Sequence, residues 1–260
     1  MRSWNFTENF WQFLILAAVC YFIGCFNFAR FISKKKHKDI TKIGSGNPGT
    51  MNMSREFGWK IGVITFFCDA FKGGLPTLAA HLIFRKFVFS GSDVCVADVA
   101  RYLAALFVII GHIFPVTNRF KGGKGIASTF GGFWFGLACE NPWFLLLGFL
   151  FFVAVALYIF FTEWGSMGSL IGTSGFAIWQ GTIFLLRYGA EKNVYFAAAM
   201  LLLLLLNVFT WGAHHKNVWR LLSGTEHRTS VKKIAKKGCN CIIFFQCVQY
   251  QWCVWGRTII

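Results

Sequence analysis

Carboxylates are the scarcest chemistry in this chain, with 10 Asp and Glu against 26 Lys and Arg among 260 residues. Charged residues of either sign make up 14% and hydrophobic residues 56%, a balance that excludes an ordinary soluble globule. The nine cysteines include one CxC, Cys239 and Cys241, but no paired CxxC, so the ligand spacing of a zinc site is missing. No small-residue cleavage site follows the first apolar run, which therefore reads as a retained helix and not as a signal peptide. No internal repeat is visible, which argues against the repeat halves of many transporters.

What the chain has in abundance is long apolar runs, most near the roughly 20 residues that cross a hydrocarbon core, the fourth being of marginal length. They predict an all-α membrane protein, a polytopic bundle of about seven transmembrane helices over 10–32, 59–84, 99–116, 126–137, 143–161, 169–186 and 194–211. Of the lysines and arginines, 19 fall in 30–60, 119–124 and from Lys216 onward, and only six in the alternate loops and ends. The positive-inside rule then places the N-terminus outside and the C-terminus in the cytoplasm. The net charge of +16, which in a soluble chain would suggest nucleic acid, here fits anionic lipid. Residues 1–228 form the membrane domain. Residues 229–260 are a basic, Cys- and aromatic-rich tail, readable as interfacial or disordered.

One stretch organises the rest. Residues 111–125 read GHIFPVTNRFKGGKG. Paired glycines let backbone N–H groups approach an anion, lysines add point charges, and the apolar run from Ile126 sets a helix N-terminus behind them. A glycine turn with membrane-edge lysines fits the same residues. A Walker A loop does not, because Gly125 stands where Ser or Thr is needed. Asp69 and Lys72, at i and i+3 within the second span, read as an ion pair facing the bundle.

Four polar patches share the predicted inner face. They are Ser45 to Gly49 with Asn52, Ser54 and Arg55; His112 with the glycine–lysine loop; Gly165 to Ser169 with Gly172; and His214 to Arg228. Jointly they supply fixed cations, hydroxyls and amide donors, which suits a phosphate ester and a reaction that builds oxyanion charge. General-base chemistry by Asp or Glu has no obvious candidate.

SGNPGTMNMSR, GHIFPVTNRFKGGKG, GSMGSL and HHKNVWRLLSGTEHR, in that order, resemble the bacterial acyl-phosphate:glycerol-3-phosphate acyltransferase family over residues 22–228. The resemblance implies a seven-helix inner-membrane enzyme with its active site on the cytoplasmic side. It would move a fatty acyl group from acyl phosphate to the 1-hydroxyl of glycerol 3-phosphate, giving lysophosphatidic acid and phosphate. It implies no metal, no other cofactor and no acyl-CoA, and as partners the two substrates, membrane lipid and the soluble enzyme that makes acyl phosphate. The His-x4-Asp motif of other glycerolipid acyltransferases is absent.

By resemblance, Lys124 and Arg55 hold phosphate, with Lys121, the Gly122–Gly123 backbone, Gly125 and His112 completing the pocket. Ser45, Asn47, Gly49 and Asn52 shape the acyl-phosphate end. His214 and Asn217 orient glycerol 3-phosphate, Arg220 braces them, and Ser169 adds a hydroxyl. The third motif departs from the family pattern: Met167 replaces a tyrosine and Gly172 a serine. A transporter for a phosphorylated metabolite is the rival reading, and it predicts polar groups continuing to the far face.

Overall fold

The computed structural model describes residues 1–190, 193–226, 228 and 229. The expectations for His227, for Lys192 and for the tail beyond Thr229 lie outside the described residues. Among the described residues ten α-helices follow in order: α1 Phe6–Cys25, α2 Phe28–Lys35, α3 Thr50–Phe57, α4 Trp59–Phe84, α5 Val96–Ile113, α6 Ile126–Ala138, α7 Phe144–Thr162, α8 Gly165–Tyr188, α9 Val194–Ala213 and α10 His215–Leu222. Two three-residue strands, β1 Arg2–Trp4 and β2 Phe87–Phe89, pair in parallel at one end of the bundle, a detail beyond the all-α expectation.

Among the described residues, six helical stretches are long and apolar enough to cross a membrane: Phe6–Lys35, Trp59–Phe84, Val96–Asn118, Phe144–Thr162, Gly165–Tyr188 and Val194–Ala213. The fourth expected span, α6, has 13 residues. At 1.5 Å per residue it covers only about 20 Å of a core about 30 Å thick.

The first expected span, 10–32, is not one continuous helix. Phe26 and Asn27 are extended, and the Asn27 side chain caps α2 by accepting from Arg30 N at 2.9 Å. An Asn oxygen satisfies orphan helix donors and so favours a new start over continuation.

Backbones meet where side chains are absent. A Cβ on Gly111 would collide with the Tyr21 carbonyl oxygen and one on Gly24 with that of Val108, so α1 and α5 touch directly. Gly73 and Gly131 play the same part between α4 and α6, against Ser128 and Ala70. In lipid, packing of this kind replaces hydrophobic drive between helices. The end bearing the strands is closed by buried ions. Arg101 lies between Asp98, at 2.9 Å, and Glu140, while Gln180 and Arg187 reach Glu140 and Tyr188 Oη donates to Asp98 at 2.6 Å. These contacts tie α5, the α6–α7 link and α8, and leave the opposite end to the glycine–lysine loop.

Candidate active site

α5 ends at Ile113, a single 3-10 turn follows over Val116–Asn118, and the chain doubles back so that residues 122–125 lie on the last turn of α5. Gly122 N donates to Ile113 O and Gly123 N to His112 O, both at 3.1 Å. These two amides are therefore spent inside the protein, which corrects the expectation that they face an anion. The glycines are needed for closeness: a Cβ on Gly122 would strike the His112 carbonyl, and one on Gly123 would strike His112 Nε2. Gly125 sits at φ +82°, a left-handed conformation that glycine adopts without strain, and it starts α6 with no side-chain cap. The first N–H groups of α6 thus carry no side-chain cap and lie behind the loop.

Lys124 Nζ donates to Asn217 Oδ1 at 2.6 Å. Asn217 Nδ2 donates to Ser166 Oγ at 2.6 Å and to Glu226 Oε1 at 2.9 Å, and Ser166 Oγ donates to the same carboxylate oxygen at 2.6 Å. Arg220 Nε closes the ring on Glu226 Oε2 at 2.7 Å. Residues from the second, third and fourth motifs therefore form one hydrogen-bonded cluster. Burial pushes the Lys124 ammonium below its usual range; the Glu226 charge opposes this, and Arg220 and Arg55 add to it. Arg55, on α3, thereby falls within electrostatic reach of the cluster although its own side chain is exposed.

His214 ends α9 and precedes α10, buried to 4% exposure. Its Nδ1 donates to Thr210 O at 2.9 Å, leaving Nε2 as an acceptor. Burial pushes its pKa down to about 4, against the hydrogen bond it donates to Thr210 O and helped by the Lys124 charge, so the ring is neutral at pH 7.

In the first motif, Asn52 is a bracket. Its Oδ1 accepts from Ser45 N at 3.0 Å and its Nδ2 donates to Ile40 O and Ile43 O, at 3.2 and 3.0 Å. It shapes the loop that carries exposed Ser45 and half-buried Asn47, with Gly49 opening α3 uncapped. Two expected residues are drawn elsewhere. Ser169 Oγ donates to Gly165 O of its own helix at 2.8 Å, and Lys121 is exposed.

The departures in the third motif face α7. A Cβ on Gly172 would lie 3.2 Å from Val155, and the Met167 sulfur accepts from Tyr158 Oη at 3.5 Å. The sequence reading missed Glu226 as the hub. Its signal was present in its rarity, as a carboxylate among cations beside Arg228. An apolar groove of about 740 Å³ runs between α8 and α9, with Ser174, Asn207 and Trp211 at its polar end and Gly181, Leu185 and Met200 further along.

A helical membrane bundle with cations, amides and a neutral imidazole gathered at one end defines an integral-membrane protein whose polar site suits a phosphate group. Residues 14–224 match the family described as "Glycerol-3-phosphate acyltransferase". The chain belongs to this family. It is 36% identical over 221 residues to the glycerol-3-phosphate acyltransferase of Finegoldia magna, covering 85% of this chain and 98% of the relative. To that of Aquifex aeolicus it is 33% identical over 215 residues, covering 83% and 98%. A crystal structure of PlsY, an integral membrane glycerol 3-phosphate acyltransferase in its glycerol 3-phosphate form, superposes with a TM-score of 0.65 at 28% identity, covering 86% of this chain and 98% of that one.

Proposed function

We propose that the chain transfers a fatty acyl group from acyl phosphate to the 1-hydroxyl of glycerol 3-phosphate, giving lysophosphatidic acid and phosphate. With the short α6 counted as a seventh crossing beside the six long ones, the chain lies in a bacterial inner membrane with the N-terminus outside and the site on the cytoplasmic side, where the lysines and arginines concentrate. The observation that carries this reading is the Lys124–Asn217–Ser166–Glu226–Arg220 cluster. It fixes one half-buried cation and leaves a neutral His214 acceptor beside it.

Lys124, Arg55 and the open end of α6 hold phosphate. Asn217, whose amide N–H groups are both engaged by protein, positions Lys124 rather than touching substrate. His214 Nε2 accepts from the 2-hydroxyl of glycerol 3-phosphate and so aims the 1-hydroxyl oxygen at the acyl carbon. The new ester C–O bond forms as the acyl carbon–phosphate oxygen bond breaks, and the hydroxyl proton passes to the leaving phosphate. Glu226 is a poor base, since hydrogen bonds from Ser166, Arg220 and Asn217 hold its carboxyl below the usual range. The fatty chain lies in the α8–α9 groove, which opens to the bilayer.

Acyl transfer to labelled glycerol 3-phosphate by purified protein, with acyl phosphate and acyl-CoA as competing donors, is the test. Product from acyl phosphate alone is expected. Product from acyl-CoA alone, or from neither, overturns the proposal.

A further inference from the structure

Asp69 and Lys72 lie in α4, outside the cluster above, yet Lys72 ends at the glycine–lysine loop. Its Nζ donates to Phe26 O at 2.8 Å and to Gly24 O at 3.3 Å, and it meets His112 Nδ1 at 2.8 Å. Asp69 Oδ1 lies 3.2 Å from the same ammonium and supplies countercharge, although that oxygen makes no hydrogen bond of good geometry. All three residues are buried.

We infer that Asp69 and Lys72 are positioning residues for the acyl transfer, holding His112 in the tautomer that carries its proton on Nε2 and presents that N–H to the loop at Gly123. This rests on the proposed reaction for its purpose, but not for its geometry. An ammonium has three donors and no lone pair. Phe26 O, Gly24 O and His112 Nδ1 take all three, so Nδ1 must accept and the proton must sit on Nε2. Nε2 faces the α-carbon of Gly123, the residue before Lys124. The device explains why a charge pair is kept in a membrane helix, where ionisable groups are expensive and isolated Asp oxygens more so. It also explains the two backbone contacts beside it. Gly24–Gly111 brings the carbonyl end of α1 to His112, and Gly73, next to Lys72, lays α4 against the start of α6.

The relay links α1, α4 and α5 to the loop, so removing it misplaces a donor without touching Lys124. Loss of a partner that only orients a contacting group costs about 10- to 100-fold in comparable second-layer cases. Lys72→Met is therefore expected to lower kcat by about that factor. The KM for acyl phosphate should move less, because the phosphate-binding cation remains.

Two readouts separate positioning from mere support. The first is nitrogen-15 NMR of histidine-labelled protein, with the His112 signals among six histidines assigned from the spectrum of His112→Gln. Wild type should show a protonated Nε2 and a bare Nδ1, and Lys72→Met should lose that preference. The second is a double-mutant cycle. If Lys72 acts through His112, Lys72→Met combined with His112→Gln is no slower than His112→Gln alone.

A protonated Nδ1 in folded wild type, an unchanged tautomer in Lys72→Met, or additive losses in the cycle each overturns the inference. A protonated Nδ1 in the wild-type spectrum overturns the inference even if Lys72→Met does not fold. The spectrum needs no substrate, so a protein inactive with acyl phosphate would sink the proposed reaction while leaving the relay to be judged separately.

Discussion

Lys124 Nζ and Asn217 Oδ1 stand 2.6 Å apart across 93 positions of sequence. The bond joins the loop after α5 to the first turn of α10 and holds a cation whose burial already presses it toward neutrality. A buried lysine is costly unless hydrogen bonds and countercharge keep it protonated, and here Asn217 and Glu226 supply them.

Replacing Lys124 with Gln should therefore remove phosphate binding while leaving the fold intact, since the amide can still meet Asn217. Loss of one preorganised donor at a site of developing charge costs about 10²–10³ in turnover. Steady-state kinetics of Lys124→Gln should show a fall of that order, and normal turnover would refute the phosphate-pocket assignment.

Glu226→Gln probes the hub. The amide keeps one acceptor for Arg220 but removes the charge that opposes the downward push on Lys124. Lys124 should then lose its proton at lower pH, and the alkaline limb of kcat/KM should move toward neutrality. An alkaline limb that does not move would mean that Lys124 is not the group titrating there.

How much of this was legible in the sequence differs by residue. Span 59–84 coincides with α4 because apolar length alone decides it. The break after α1 was hidden, since Phe26 and Phe28 keep the run apolar while a single Asn27 restarts the helix. Asp69 and Lys72 were readable as a pair from their spacing. The third partner, His112, lies 40 positions away and no local pattern announces it. The glycines at 122 and 123 were visible and their reason was not. Packing against His112, rather than donation to an anion, is what they serve. Glu226 looked like one more loop charge until Ser166, 60 positions earlier, was found donating to it.

His214 gives a pH prediction with a definite sign. Its folded pKa is about 4 and the usual value is 6.5, so the unfolded chain binds the extra proton first as pH falls. The stability it contributes is complete above about pH 6.5 and is lost as pH falls toward 4. The loss amounts to about 3 kcal/mol, because the ring is almost wholly buried and solvent screens it little. Thermal unfolding in detergent should show His214→Gln with a flatter decline than wild type between pH 6.5 and 4. Parallel declines would place the titration elsewhere.

The groove between α8 and α9 makes the last prediction, which concerns substrate length. Trp211 lies one turn before His214, and Trp211 Nε1 donates to Ser174 Oγ at 3.2 Å, so the polar end of the groove adjoins the reacting groups. Further along, a Cβ on Gly181 would make only ordinary contact with Met200, at 3.6 Å, so there is room for a side chain to enter without disturbing the helices. Gly181→Phe should fill that part of the groove and shorten the chain it accepts. Each buried methylene is worth about 0.8 kcal/mol, so excluding two or three of them should lower kcat/KM for long-chain acyl phosphates by about 10- to 60-fold. Short-chain donors, which never reach Gly181, should react as they do with wild type. A loss that is uniform across chain lengths would remove the groove as the acyl site and point to a lipid-filled space between the two helices instead.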